Sequence, residues 1–218
     1  MKDKKLKLVL ITSCSALYLI WTLIEVFIVP KMELQLSSEV VEIIKEVVIK
    51  IVVWFIPSMA LSIHFNKFMY VKKQEFFTFK TEWLKFLPIF LIFAAYQVIS
   101  SYVTNGSISI SESFKASDIL LAFTVGLSEE MFFRGWLLNS TLYEKRKWIP
   151  VLINAVLFLI IHFPIWFRSG LFIEYISSGS FIQIIILSII LSWSFIKSKS
   201  IIVPAALHIF WDLLCWLL

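Results

Sequence analysis

Residues 126–140 read GLSEEMFFRGWLLNS. Glu129, Glu130 and Arg134 stand in the middle of an otherwise apolar helical run that extends from about Ala116 to Leu142. Charge at the centre of such a run means one of two things: a solvated face, or a buried polar core inside a membrane bundle. The rest of the chain decides between them. Of its 218 residues 60% are hydrophobic, 16% are charged and 21 are Phe. A soluble domain runs nearer about 45–50% apolar and about 25% charged. A water-soluble fold of this length cannot hide so much apolar surface. The composition excludes a disordered tail, a disulfide scaffold and an ordinary water-soluble enzyme, and it points to an all-α, polytopic transmembrane helix bundle.

Working outward from that run, seven segments match the roughly 20 apolar residues needed to cross a bilayer. They are about Leu8 to Val29, a stretch centred on Ile51–Phe65 within a helical pattern beginning near Ser38, Trp83–Val103, Ala116–Leu142, Trp148–Phe167, Gly179–Ile196 and Ile201–Leu218. The last two are short and nearly adjacent, so the count runs from six to eight. The basic start of the first segment resembles a signal peptide, but its apolar stretch is too long and no Ala-x-Ala site follows, so it reads as an uncleaved span. Without repeats or low-complexity linkers, residues 1–218 read as one integral membrane domain. The Ser-rich stretch Thr104–Ser113 reads as an exposed loop.

The net charge of +5 comes from lysines and arginines lying between apolar blocks, a pattern that fits membrane orientation and not nucleic-acid binding. Thirteen basic residues (Lys2, Lys4, Lys5, Lys7, Lys67, Lys72, Lys73, Lys80, Lys145, Arg146, Lys147, Lys197, Lys199) fall on one side, against four (Lys31, Lys45, Lys115, Arg168) on the other. The N-terminus therefore reads as cytoplasmic and the protein as multi-pass in a cell membrane. Cys14 and Cys215, both in apolar runs, read as buried thiols outside any disulfide or metal site.

Charged groups facing lipid cost at least about 2.5–3.5 kcal/mol each on insertion scales, so the exceptions should face the bundle interior. Glu130 and Arg134 stand at i and i+4 and read as an ion pair. Glu129 points about 100° away and has no basic residue one turn from it. Either another span supplies its partner or it is carried neutral. Two of the three histidines also lie inside spans: His162 in FLIIHFP, one turn after Phe158, and His208 in AALHIFWDLL, one turn before Asp212. The spacing puts His208 and Asp212 on one face, where the carboxylate can fix the imidazole tautomer. His64 reads as an interfacial histidine.

An acid, two imidazoles and no usable thiol suit the activation of water. In one version Glu129 deprotonates water and a histidine polarises a carbonyl. In the other, His162 and His208 hold a divalent ion such as zinc, with Glu129 as base or third ligand. There is no HExxH helix and no GxSxG elbow beside Ser128. Glu129 and Asp212 together could also imitate an aspartic dyad.

These residues resemble the motifs of the CPBP intramembrane protease family, which includes the CAAX prenyl endopeptidases and the bacteriocin-processing or bacteriocin-immunity Abi proteins. EEMFFR (Glu129–Arg134) matches EExxxR, Phe158–His162 matches FxxxH, and His208–Asp212 matches HxxxN with Asp in place of Asn. The resemblance covers about residues 116–218. It implies an intramembrane endopeptidase acting on a small membrane-associated or lipidated peptide, with a role in bacteriocin processing or self-immunity. It further implies Glu129, His162, His208 and Asp212 as catalytic residues, Glu130, Arg134 and Phe158 as supporting ones, and either no cofactor or a metalloprotease centre on His162, His208 and Glu129. Its implied partners are that peptide and the lipid bilayer, with no nucleic acid and no inferable protein subunit. Asp212 departs from the motif. Asn can donate to an oxyanion and ionised Asp cannot, so Asp212 is either protonated or acts by orienting His208. The Lys/Ile/Phe-rich composition is similar to that of AT-rich bacterial genomes, which places the protein in a bacterial plasma membrane. A non-enzymatic immunity or binding protein and a small proton-coupled transporter are the two alternatives, since intramembrane Glu and His also form relays.

Overall fold

The structure, a computed structural model, describes residues 4–142 and 147–218. Lys2, Lys145 and Arg146 of the charge pattern lie outside the described residues. Long helices dominate: α1 (Lys4–Glu33), α2 (Ser38–His64), α3 (Leu87–Asn105), α4 (116–141), α5 (Trp148–Arg168), a short α6 (Phe172–Ser177), α7 (Ser180–Ser198) and α8 (Ile202–Leu217). Single helical turns at Asn66–Phe68, Lys73–Phe76 and Trp83–Lys85 join α2 to α3. The protein is an all-α, polytopic membrane helix bundle.

Among the described residues, five helices (α1, α2, α3, α5 and α7) are long and apolar enough to cross a membrane. The other two expected segments are helical but fall short for separate reasons. α4 carries Asp118, Glu129, Glu130 and Arg134, and α8 has 16 residues. α3 begins at Leu87, not Trp83, because Pro88 suits the first helical turn, and it ends on Gly106 in the left-handed conformation (φ +71°). The stretch from there to Lys115 is exposed coil, as its serines suggest.

α4 is the axis of the bundle. Every residue from Met131 to Leu138 is buried, so this part has no lipid-facing stripe. Its hydrogen bonding widens there towards the i→i+5 pattern. Such turns weaken the internal ladder, and outside partners take up the slack: Asn154 Nδ2 donates to Phe133 O at 2.8 Å and Ser62 Oγ to Gly135 O at 3.1 Å. α2 packs along both halves of α4, α8 along its first half, and α5 and α7 behind it. Trp21, Trp54, Phe132, Phe133 and Phe158 meet edge to face between α1, α2, α4 and α5.

Two local features aim residues at the interior. Pro164 cannot continue the α5 hydrogen-bond ladder, and the helix breaks step at Ile161–His162, leaving His162 at the start of the segment Phe163–Arg168. Gly126 lets α8 lie directly on α4: a Cβ there would come within 2.7 Å of Ile209 Cγ1 and 3.1 Å of its backbone nitrogen. The reading of both cysteines as buried is corrected. Cys14 is half-buried on α1, and Cys215 is exposed at the end of α8, where the bundle opens.

Gly126→Ala should therefore push α8 away from α4 and cost about 1–3 kcal/mol, the usual range for overpacking. Thermal unfolding in detergent reads this directly; an unchanged midpoint would mean that the two helices part freely.

Candidate active site

The successive residues Glu129 and Glu130 leave α4 in different directions. Glu130 and Arg134 are wholly buried. Glu130 Oε1 accepts from Arg134 Nη1 at 2.7 Å and from His208 Nδ1 at 2.9 Å, tying α8 to α4. Arg134 Nη2 reaches α7, donating to the oxygen and the hydroxyl of Ser188 at 2.9 and 2.7 Å. Its guanidinium lies 4.7 Å from the centre of the Phe158 ring. This corrects the expected job of Asp212. Asp212 Oδ2 stands 3.6 Å from His208 Nε2, too far for a hydrogen bond, and Glu130 holds the imidazole by its other nitrogen. Asp212 shares the His208 face, as its spacing requires, but the ring of His208 is held from α4 through Nδ1.

Glu129 does have a partner from another span, Lys50 of α2, whose Nζ is 2.6 Å from Glu129 Oε1. The second oxygen, Oε2, is 4.0 Å from His208 Nε2. That gap is too wide for a direct bond and fits one water bonded to both atoms. His162 Nδ1 donates to Phe158 O at 2.8 Å, since a carbonyl can only accept. In the neutral ring this leaves an unprotonated Nε2. The Phe158 ring separates the imidazoles, with centroids 5.2 Å from His162 and 5.7 Å from His208.

A cleft of about 910 Å³ runs along these groups. Glu129, Lys50, His162, His208 and Asp212 line its floor, and Trp21, Trp54 and Trp166 line its walls. Its mouth lies among Arg168, Ser111, Ser113 and Leu218, where Ser111 N donates to Leu217 O at 2.8 Å. From mouth to floor runs a ladder of ion pairs. Arg168 Nε meets Glu25 at 3.0 Å, Glu25 meets Lys45 at 3.3 Å, Lys45 meets Glu46 at 3.0 Å, and Glu46 meets Lys50 at 2.7 Å. His64 lies far from this cleft, exposed beside Phe65.

These donors do not fit a divalent ion. Among the described residues no group of three or more His, Cys, Asp or Glu side chains is arranged to hold a metal. The ammonium of Lys50 already occupies Glu129 Oε1, and its positive charge would repel a divalent ion placed beside that carboxylate. Sequence reasoning missed Lys50 and Glu46. Their i,i+4 spacing on a face shared with Trp54 is the available signal.

Neither a curated protein nor a solved structure is significantly similar to the chain. Over residues 112–214, which hold α4, α5, α7 and most of α8, the chain matches the Rce1-like family model, described as type II CAAX prenyl endopeptidase Rce1-like.

Proposed function

We propose that the protein is an intramembrane endopeptidase that hydrolyses a peptide bond by means of a water activated by Glu129. The observation that carries this reading is the 4.0 Å gap between Glu129 Oε2 and His208 Nε2 at the floor of the cleft. The match to an endopeptidase family supports it. Glu129 Oε2 takes a proton from the water, and the hydroxide adds to the scissile carbonyl carbon. Nε2 of His162 accepts the water's other hydrogen and fixes the attacking lone pair. His208 acts as an imidazolium: Glu130 holds its Nδ1–H, and its Nε2–H donates to the developing oxyanion, an interaction that is strong where bulk water is scarce. Glu129 then passes its proton to the leaving amine as the C–N bond breaks. No step requires a metal ion.

In this reading residues 1–218 form one domain that crosses the membrane seven times, α4 and α8 included, with the N-terminus in the cytoplasm. The cleft mouth then faces outward, on the side of Lys31, Lys115 and Arg168. That side favours a secreted or membrane-associated peptide, as in bacteriocin processing or self-immunity, over the tail of a cytosolic prenylated protein. The ladder of alternating acids and bases lends some support to a second reading, proton-coupled transport.

Glu129→Gln should lower kcat/KM by about 10²–10⁴, the range for a general base, at an unchanged yield of folded protein. His208→Ala should do the same. The assay is cleavage of an internally quenched peptide library by protein in liposomes. Wild-type rates in both variants would overturn the mechanism, and Glu129-dependent proton flux without cleavage would favour transport. Because Glu130 orients His208, Asp212→Asn should keep activity within about tenfold of wild type; one tenfold step is about 1.4 kcal/mol of barrier. A hundredfold loss would make the Asp212 carboxylate essential. Alkaline phosphatase fused after Ser107 should be active, and fused after Lys72 inactive; the reverse result would invert the orientation.

A further inference from the structure

The charge that faces Glu129 comes from outside the matched stretch 112–214 and outside the EExxxR, FxxxH and HxxxN positions. We propose that Lys50 is a positioning residue of the hydrolytic site, serving as its built-in cation where a metallopeptidase would hold a divalent ion. The proposal rests on the peptidase reading above.

Three observations lead there. First, Lys50 Nζ bonds only one oxygen of Glu129, at 2.6 Å. The engaged Oε1 fixes the rotation of the carboxylate, and the free Oε2 is turned towards His208 and the cleft. A purely structural ion pair has no reason to leave one oxygen on the floor of a cavity. Structural cohesion between α2 and α4 already comes from the Trp54, Phe132 and Phe133 rings and the Ser62–Gly135 bond.

Second, Lys50 cannot swing away. Its Nζ also meets Glu46 Oε2 at 2.7 Å and lies 5.4 Å from the ring centres of both Trp21 and Trp54. Glu46 in turn presents its other oxygen to Lys45 at 3.0 Å, and Glu25 is shared between Lys45 and Arg168. Each acid of the ladder thus has one oxygen on each of two cations, and a shift of Lys50 would leave a buried carboxylate unpaired.

Third, Lys50 is the cation bonded to Glu129, in a site whose His, Asp and Glu donors do not assemble as metal ligands. A fixed positive charge beside Glu129 keeps the base in place and offsets the negative charge that gathers as the hydroxide adds to the carbonyl. In a site screened from bulk water that offset is worth far more than at a surface.

The test uses the full chain in liposomes, with a peptide that the wild type cleaves and Glu129→Gln as the inactive control. Lys50→Met should lower kcat at least a hundredfold with KM within threefold, and Lys50→Arg should recover at least a tenth of the wild-type rate. If Lys50→Met folds poorly, the charge-balanced double variant Lys50→Met/Glu46→Gln carries the same expectation. Wild-type kcat in the methionine variants, or an arginine variant no better than methionine, would overturn the proposal. So would loss of wild-type activity to 1,10-phenanthroline that zinc restores. Isotope-edited infrared spectra need no substrate and separate this proposal from the peptidase reading. The Glu129 carboxylate band, identified by its absence in Glu129→Gln, should shift in Lys50→Met even if no peptide is ever cleaved. An unmoved band would overturn the role of Lys50, whereas failure of every peptide to be cleaved would overturn only the peptidase reading.

Discussion

The carboxylate of Glu130, fully buried in an apolar bundle, must be matched in charge, and much of the site follows from how that is done. One of its oxygens receives Arg134 from the next turn of α4 and His208 from α8. Arg134 then reaches across to Ser188 of α7 and lies over the Phe158 ring of α5. Three helices are thereby tied to α4 at one depth by groups that no bilayer would tolerate singly. Removing one partner would leave the others charged and unsatisfied, so the arrangement is held more firmly than its few hydrogen bonds suggest.

Against that fixed frame Glu129 stands differently. It points into the cleft, keeps one oxygen free and draws its counter-charge from α2. The two neighbouring glutamates thus divide their work: Glu130 organises the helices and aims an imidazole, while Glu129 faces the space where a substrate would lie. The division follows from the turn angle of α4, because adjacent residues of a helix cannot point the same way.

Much of this was legible in the chain itself. Apolar blocks long enough to cross a membrane announce their helices, and among the described residues five of them do so by length and composition. α4 was readable as a helix for the opposite reason: charges spaced i,i+4 in an apolar run need an interior to face. The pairing of Glu130 with Arg134 is local and followed from spacing alone. What spacing could not reveal were partners brought from far along the chain. Lys50 is 79 residues from Glu129, and its i,i+4 spacing reveals only the local pair with Glu46. The grip of Glu130 on His208 was hidden in the same way, which is why the nearer Asp212 looked like the natural anchor. The exposure of Cys215 depends on where α8 ends at the cleft mouth, and apolar neighbours along the chain do not report that.

Lys50 lies in the first half of the molecule, and Glu129 in the second. A chimera that joined residues 1–111 of one relative to residues 112–218 of another would keep every recognisable motif, yet it could bring a neutral or acidic side chain against the glutamate. The two halves are therefore coupled through one ion pair, and the apolar N-terminal helices, which look interchangeable as membrane anchors, carry the charge that faces Glu129.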